Sequence, residues 1–205
     1  MSVVSKYNRI SAVYDIIELP VELFLYGRWR EEALSNLSGK VLEVGVGTGR
    51  NLKYYPAGCS VIGIDNSAGM LEKARKKARG MKNITLNLMD AEHLEFLDNS
   101  FDYVVTTFVL CSIPDPVKAL KEMRRVLKPS GELIALEHMR SSSPFIARIE
   151  DLINPIMFFF IGDDMTRNTV GNIEKAGFVI KETKNMAFRD VFKKIRAKPQ
   201  RGLFP

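Results

Sequence analysis

Cysteine and histidine are scarce in this chain, with two of each in 205 residues. Cys59 and Cys111 each lie in or beside an apolar run. That excludes a disulfide framework and a cysteine-rich metal site, and it reads both as small core residues. Thiols used in this way fit a reducing compartment, so the expected location is cytoplasmic. No basic segment near the N-terminus leads into a signal-like apolar run. Long apolar runs are missing as well. The best of them, Ile149–Ile161, is interrupted by Glu150, Asp151, Asn154 and Pro155 and is too short and too polar to span a bilayer. Blocks of one-signed charge are few despite a formal charge of +6. The densest basic runs, Lys73–Arg79 and Lys193–Lys198, read as a solvated helix face and a charged strand. No nucleic-acid partner is expected, while a peripheral contact with an anionic membrane surface stays open.

What is present is a rhythm. At 46% hydrophobic composition, a chain of this length suits one compact domain. Residues 1–38 carry Tyr7, Ile10, Val13, Tyr14, Ile17, Val21, Phe24, Leu25 and Trp29 at helical spacing. Pro20 divides them into two short helices, because proline lacks a helix donor and restrains its predecessor. From Gly39 the pattern alternates between strands and helices. Strands are expected at Val41–Val44, Ser60–Asp65, Asn83–Met89, Phe101–Phe108 and Glu132–Glu137, the last entered from the turn Pro129-Ser130-Gly131. Between the last two, Val117, Leu120, Met123, Val126 and Leu127 form one helical face opposite Lys118, Lys121, Arg124 and Arg125. A helix near Arg167–Ala176 stops at Gly177. Two charged strands follow, Phe178–Lys184 and Val191–Ala197, as an antiparallel pair at one sheet edge.

Such alternation implies parallel strands with right-handed crossovers. The expected fold is α/β, a Rossmann-like, mostly parallel sheet of seven strands with an antiparallel C-terminal strand and helices on both faces. The single domain 1–205 divides into a helical lid (1–38), a core (39–138), an insertion with an aromatic-rich helix (139–170) and a C-terminal helix with its strand pair (171–205).

The central motif is Val41-Leu42-Glu43-Val44-Gly45-Val46-Gly47-Thr48-Gly49. A strand feeds a glycine-rich turn, where the backbone can approach a ligand and the next helix would present free N–H groups. The dinucleotide fingerprint is G-x-G-x-x-G. Here the third glycine comes one residue early and Arg50 stands in its place, which suits a ligand without a pyrophosphate. Asp65 ends the next strand and can accept from both hydroxyls of a ribose, with Asn66 beside it. Its simpler role is a helix cap, which Ser67 could supply instead. At the end of the third strand, the Asp90 carboxylate and the Ala91 amide could meet an adenine edge. A second helix cap is the alternative for Asp90.

Together these residues resemble the class I S-adenosylmethionine (SAM)-dependent methyltransferases, in the group that includes the quinone-biosynthesis C-methyltransferases. Thr107-Phe108-Val109-Leu110-Cys111-Ser112, Arg125-Val126-Leu127-Lys128-Pro129 and Glu137-His138 are further similar to the alkyl thiol methyltransferase-like proteins and to bacterial phosphatidylethanolamine N-methyltransferases. The long N-terminal apolar anchor of the thiol enzymes has no counterpart here. The resemblance implies SAM as cofactor, leaving S-adenosylhomocysteine, and cofactor binding by Glu43, Gly45, Gly47, Gly49, Asp65, Asn66, Asp90, Ala91 and Phe108. Glu43 would face the methionine amino group across the glycine turn, and Phe108 would help enclose the methionine end.

The implied reaction is methyl transfer to a small, apolar acceptor: a quinol, a lipid headgroup or a thiol. The tract after the fourth strand lacks the acidic or amide residue and paired prolines of methyltransferases acting on DNA bases or glutamine. Two scattered cysteines argue against arsenic methylation, which would need several thiols. His138, at the carboxyl end of the fifth strand, could remove a proton, or it could simply hydrogen-bond a loop. Tyr7, Tyr14 and Phe158, with Trp29, Phe159 and Phe160, are expected to wall an acceptor chamber, or else only to cover the sheet. The rival readings are an NAD-dependent oxidoreductase and a non-catalytic SAM-binding module.

Overall fold

The computed structural model describes residues 3–9, 20, 22–160 and 162–200. Residues 3–9 form helix α1. A π-helical turn, Glu22–Tyr26, runs directly into α2, Gly27–Leu34. The expected helical positions Ile10, Val13, Tyr14, Ile17 and Val21 lie outside the described residues.

The alternating core follows, with β1 (Gly39–Val44), β2 (Cys59–Asp65), α3 (Ala68–Lys77), β3 (Ile84–Leu88), β4 (Phe101–Thr107), α4 (Pro116–Val126) and β5 (Leu127–His138). The chain closes with α5 (Pro144–Phe160), α6 (Thr169–Lys175), β6 (Phe178–Ala187) and β7 (Phe192–Pro199). Two local expectations are corrected. β5 begins at Leu127 rather than Glu132, taking Pro129-Ser130-Gly131 into a strand whose register against β4 shifts between Phe101 and Tyr103. The glycine turn leads not into an α-helix but into one short 3-10 turn, Leu52–Tyr54. Pro56 and Gly58 follow it at once, and β2 starts at Cys59.

All seven strands share one sheet in the order β3-β2-β1-β4-β5-β7-β6. The first five run parallel, and β7 is antiparallel to both β5 and β6. The chain therefore reverses its winding between β1 and β4, and a crevice opens at that point beyond the strand ends.

The pleat sends alternate side chains to opposite faces. Leu42, Val44, Val104, Leu133 and Ala135 meet α4 and α6 on one side. Val41, Val61, Val105 and Ile134 meet Ala33 and Leu34 of α2 on the other. Helix starts use side-chain caps: Ser67 accepts from Met70 N, Asp115 from Lys118 N and Asn168 from Gly171 N. Among the described residues, no helix is long and apolar enough to cross a membrane.

Leu120 of α4 is fully buried, whereas its neighbour Lys121 is exposed. Leu120→Ala should lower unfolding free energy by about 2–5 kcal/mol, through lost burial and a residual cavity. Lys121→Ala should stay within about 0.5 kcal/mol of the parent in the same denaturant titration.

Candidate functional site

The carboxyl ends of β1, β2 and β4 lie side by side, with Val44 paired to Ile64 on one flank and to Thr106 on the other. The cavity beyond them is walled by the glycine turn, by Asp65 and Asn66 after β2, by Met89, Asp90 and Ala91 after β3, and by Thr107 and Phe108 after β4. Val3, Val4 and Tyr7 of α1, Arg30 of α2 and Ile113 also line it. Of the expected site residues, Gly45, Gly47, Asp65, Asn66, Asp90, Ala91, Phe108 and Tyr7 are therefore brought together. Glu43, Gly49, Phe158 and His138 are not in the wall, and Tyr14 lies outside the described residues.

The glycine turn has two mechanical requirements. Gly45 has φ +72, and a Cβ there would sit 2.2 Å from the Val109 side chain. Gly49, at φ +80, packs against α3, where a Cβ would come within 3.1 Å of the Ala74 Cα. Gly49 thus shapes the turn from beneath. Around Gly47, also at positive φ, a Cβ would meet nothing within 4 Å.

Asp65 holds the turn against β2. One carboxylate oxygen accepts from Gly47 N and the other from Ser67 N, both at 2.8 Å. Ser67 itself caps α3, so Asp65 is not needed for that cap. Burial raises the Asp65 pKa above its ordinary value, against the pull of these backbone donors. Asp90 accepts from Glu92 N at 2.9 Å in a tight turn with no helix behind it.

Glu43 is corrected from its expected place. It is 1% exposed and is not among the residues that line the cavity. Its Oε1 accepts from Asn51 Nδ2 at 2.8 Å, and the same amide donates to Thr107 Oγ1 at 2.9 Å. Arg30 joins them, donating from Nη1 to Asn51 Oδ1 at 2.8 Å and to Thr107 Oγ1 at 2.9 Å, and from Nε to Glu22 at 3.2 Å. Arg50 adds a second contact to Glu22 at 3.5 Å. Burial pushes the Glu43 pKa up to about 7, opposed by the hydrogen bonds of Asn51 and Tyr55 and by the charge of Arg30.

Phe108 carries the strain of the site, with φ 56 at a non-glycine residue. Its ring packs 4.5 Å from Tyr26 and 6.0 Å from Phe192, and the Arg30 guanidinium lies 5.2 Å from its centre. Glu137 supports this turn from behind, accepting from Val109 N at 3.1 Å and from Leu110 N at 3.3 Å. Burial raises its pKa to about 8.

His138 had two roles open to it, a base or a loop contact. Its ring stands edge-on to Phe192 at 5.3 Å, and Nε2 is 3.9 Å from Glu150, away from the cavity wall. Burial lowers its pKa to about 4, which makes it a poor base at neutral pH. Phe158 also turns out of the cavity. It is 49% exposed and touches the lid through Lys6, whose Nζ lies 5.2 Å above its ring and donates to its carbonyl. α1 borders the cavity through Val3, Val4 and Tyr7. Asn8 pins it to α3 by accepting from Ser67 Oγ at 2.6 Å and Gly69 N at 3.0 Å, and Tyr7 donates to Asp163 at 2.6 Å.

Arg30, Asn51 and Asp163 were not singled out in the sequence, and Thr107 and Glu137 stood there only as members of longer tracts. Arg30 pairs with Thr107 and Asp163 with Tyr7 across long stretches of chain, which no local pattern encodes.

Known proteins resemble this one in the same region. Residues 42–135 match a family model described as a methyltransferase domain. Demethylmenaquinone methyltransferase of Staphylococcus haemolyticus is 36% identical over 154 residues, 71% of this chain and 64% of that protein. The same enzyme of Staphylococcus aureus is 37% identical over 147 residues, 67% of this chain and 61% of that one. The chain thus spans a little over three fifths of the length of these curated relatives. Among solved structures, a SAM-dependent methyltransferase from Thermotoga maritima, described as a possible histamine N-methyltransferase, aligns with a TM-score of 0.74 at 26% identity. It covers 96% of this chain and 99% of its own.

The raised pKa of Glu43 has a consequence for stability. Its native pKa of about 7 exceeds the ordinary value of 4.5, so the native state holds the proton more tightly than the unfolded state. Its contribution is complete below the ordinary value and is lost as pH rises through about 7. Glu43→Gln should therefore lose less stability than the parent between about pH 5 and pH 8, by on the order of 1–3 kcal/mol. Glu137 and His138 are present in both proteins and cancel. Parallel stability curves in denaturant titrations across that range would contradict the assignment.

Proposed function

The chain belongs to the class I SAM-dependent methyltransferase family, and on that premise we propose that it transfers a methyl group from SAM to a small apolar quinol. The observation that carries this reading is one cavity at the switch point of the sheet. It joins the glycine turn, Asp65, the Asp90–Ala91 edge and an apolar lid.

The chemistry of the wall fits such a cofactor. Asp65 keeps acceptor capacity for vicinal ribose hydroxyls, because a carboxylate offers about four lone-pair sites and its backbone donors are Gly47, Ser67 and Asn66. Ile64, Met89 and Ile113 offer an apolar slot for a purine, with Asp90 and Ala91 at its edge. Arg30 supplies a cation for a carboxylate, and Phe108 an aromatic wall for the methionine end. Glu43 acts at one remove, by orienting Asn51 and balancing Arg30. When bound, SAM supplies an activated methyl group whose transfer is strongly downhill. The protein contributes orientation and exclusion of water, worth up to about 7–11 kcal/mol when reactants are well placed.

The glycine spacing speaks against NAD, and the relatives are methyltransferases. The names of those relatives support a quinol over a lipid headgroup or a thiol. A greasy acceptor also accounts for Phe145, Ile149, Leu152, Ile156 and Phe159, an exposed apolar row along α5. We assign that row to a peripheral contact with lipid, on the cytoplasmic side implied by the free, buried thiols of Cys59 and Cys111. No nucleic-acid partner belongs to this reading.

Asp65→Ala should remove two charge-assisted hydrogen bonds of about 1.5–3 kcal/mol each, so SAM affinity should fall at least tenfold. Glu72→Ala, at an exposed position on α3, serves as the control. Calorimetry on folded variants that showed equal SAM affinity would sink the placement. Release of S-adenosylhomocysteine is then compared with demethylmenaquinol, an ethanolamine headgroup and an alkyl thiol. Turnover with either of the last two and none with the first would move the acceptor to another class.

A further inference from the structure

A ring carbon of a quinol becomes a good nucleophile only when its neighbouring hydroxyl gives up a proton. His138 is not among the residues that line the cavity, so it is not placed to take that proton. Tyr7 is the wall residue with a hydroxyl on the lid, and that hydroxyl already has a proton acceptor. It donates to Asp163 Oδ1 at 2.6 Å. Asp163 directly follows Gly162, whose φ of 98 turns the chain back beneath α1 as it leaves α5. The Cys111 thiol is its other donor, so both of its partners are neutral groups.

We propose that Tyr7 and Asp163 form a proton relay for the acceptor, with Tyr7 as the catalytic residue at the cavity and Asp163 as the positioning residue behind it. The inference rests on the quinol reading above. The acceptor hydroxyl gives its proton to the Tyr7 oxygen as the Tyr7 proton passes to Asp163 Oδ1. The adjacent ring carbon, now electron-rich, forms its bond to the methyl group while the methyl–sulfur bond breaks. The proton on that ring carbon is then lost to solvent, restoring the aromatic ring as its phenolate, and Asp163 returns its proton through Tyr7 to that oxygen, so one proton is released overall per methyl transferred.

The surroundings suit the task. Burial raises the Asp163 pKa, which makes its carboxylate a stronger proton acceptor than an exposed one. Cys111 stays a thiol, because burial and the nearby charges of Asp163 and Glu137 hold its pKa well above the ordinary value. The same lid residue that shuts out water therefore also carries the exit for the proton.

The competing role is a mechanical latch that only holds α1 down. Asp163→Asn separates the two, because an amide oxygen can still accept from Tyr7 but cannot take its proton. With demethylmenaquinol as acceptor, Asp163→Asn should lower kcat by about 10²–10⁴-fold. Its KM and its SAM affinity by calorimetry should stay within about threefold of the parent. Tyr7→Phe should lose a similar factor, the double variant Tyr7→Phe/Asp163→Asn should fall no further than the worse single one, and Asp163→Glu should recover part of the rate. An Asp163→Asn enzyme with parental kcat would overturn the relay, as would one that loses SAM affinity and KM in step with rate. A parent protein that binds SAM but never turns over the quinol would overturn the acceptor reading and the relay together, leaving the SAM site standing.

Discussion

Arg30 is a cation buried at the end of the sheet, and the arrangement around the cavity follows from the need to satisfy it. An unpaired buried guanidinium would cost several kcal/mol, so its donors must find acceptors. They find Glu22 on the π-helical turn, Asn51 after the glycine turn and Thr107 at the end of β4. Asn51 hands the connection on to Glu43 in β1. Four separate segments are thereby tied to one side chain, which also lies over the Phe108 ring. The turn, the strained Phe108 and the helix that roofs them are held in one geometry. Buried polar networks of this kind are costly when incomplete and rigid when complete, which suits a site that must present fixed donors to a ligand.

The two walls of the cavity differ in how they are built. The sheet side is rigid: parallel strand ends in register, a glycine turn clamped by Asp65, and a post-β4 turn clamped by Glu137. The other side includes α1, whose described residues Lys6, Tyr7 and Asn8 make polar contacts to Phe158, Asp163 and Ser67. The apolar face of α5 lies beside α1, since Lys6 reaches Phe158 on the same helix.

The difference between what was legible and what was not follows from the range of the interactions. Strand and helix periodicity, the glycine turn, the ends of β2 and β3 and the antiparallel pair are local or nearly local properties. The hydrophobic pattern and the special backbone needs of Gly45 and Gly49 declare them along the chain. The family kinship was readable for the same reason, because the residues that carry it lie at strand ends. The sequence alone thus determined a doubly wound sheet, the edge at which a ligand would sit, and Asp65, Asp90 and Phe108 as residues of that edge. Tertiary structure alone decided which way each polar side chain points. A single step in a strand separates Glu137, turned under the Phe108 turn, from His138, turned toward Phe192. Glu43 is buried outside the cavity wall, where Asn51 meets it, and Phe158 turned outward because Lys6 holds it on the far side of the lid. Pairings such as Arg30 with Thr107 and Tyr7 with Asp163 join residues whose proximity is set only when the sheet closes and the lid docks, and no local pattern encodes them.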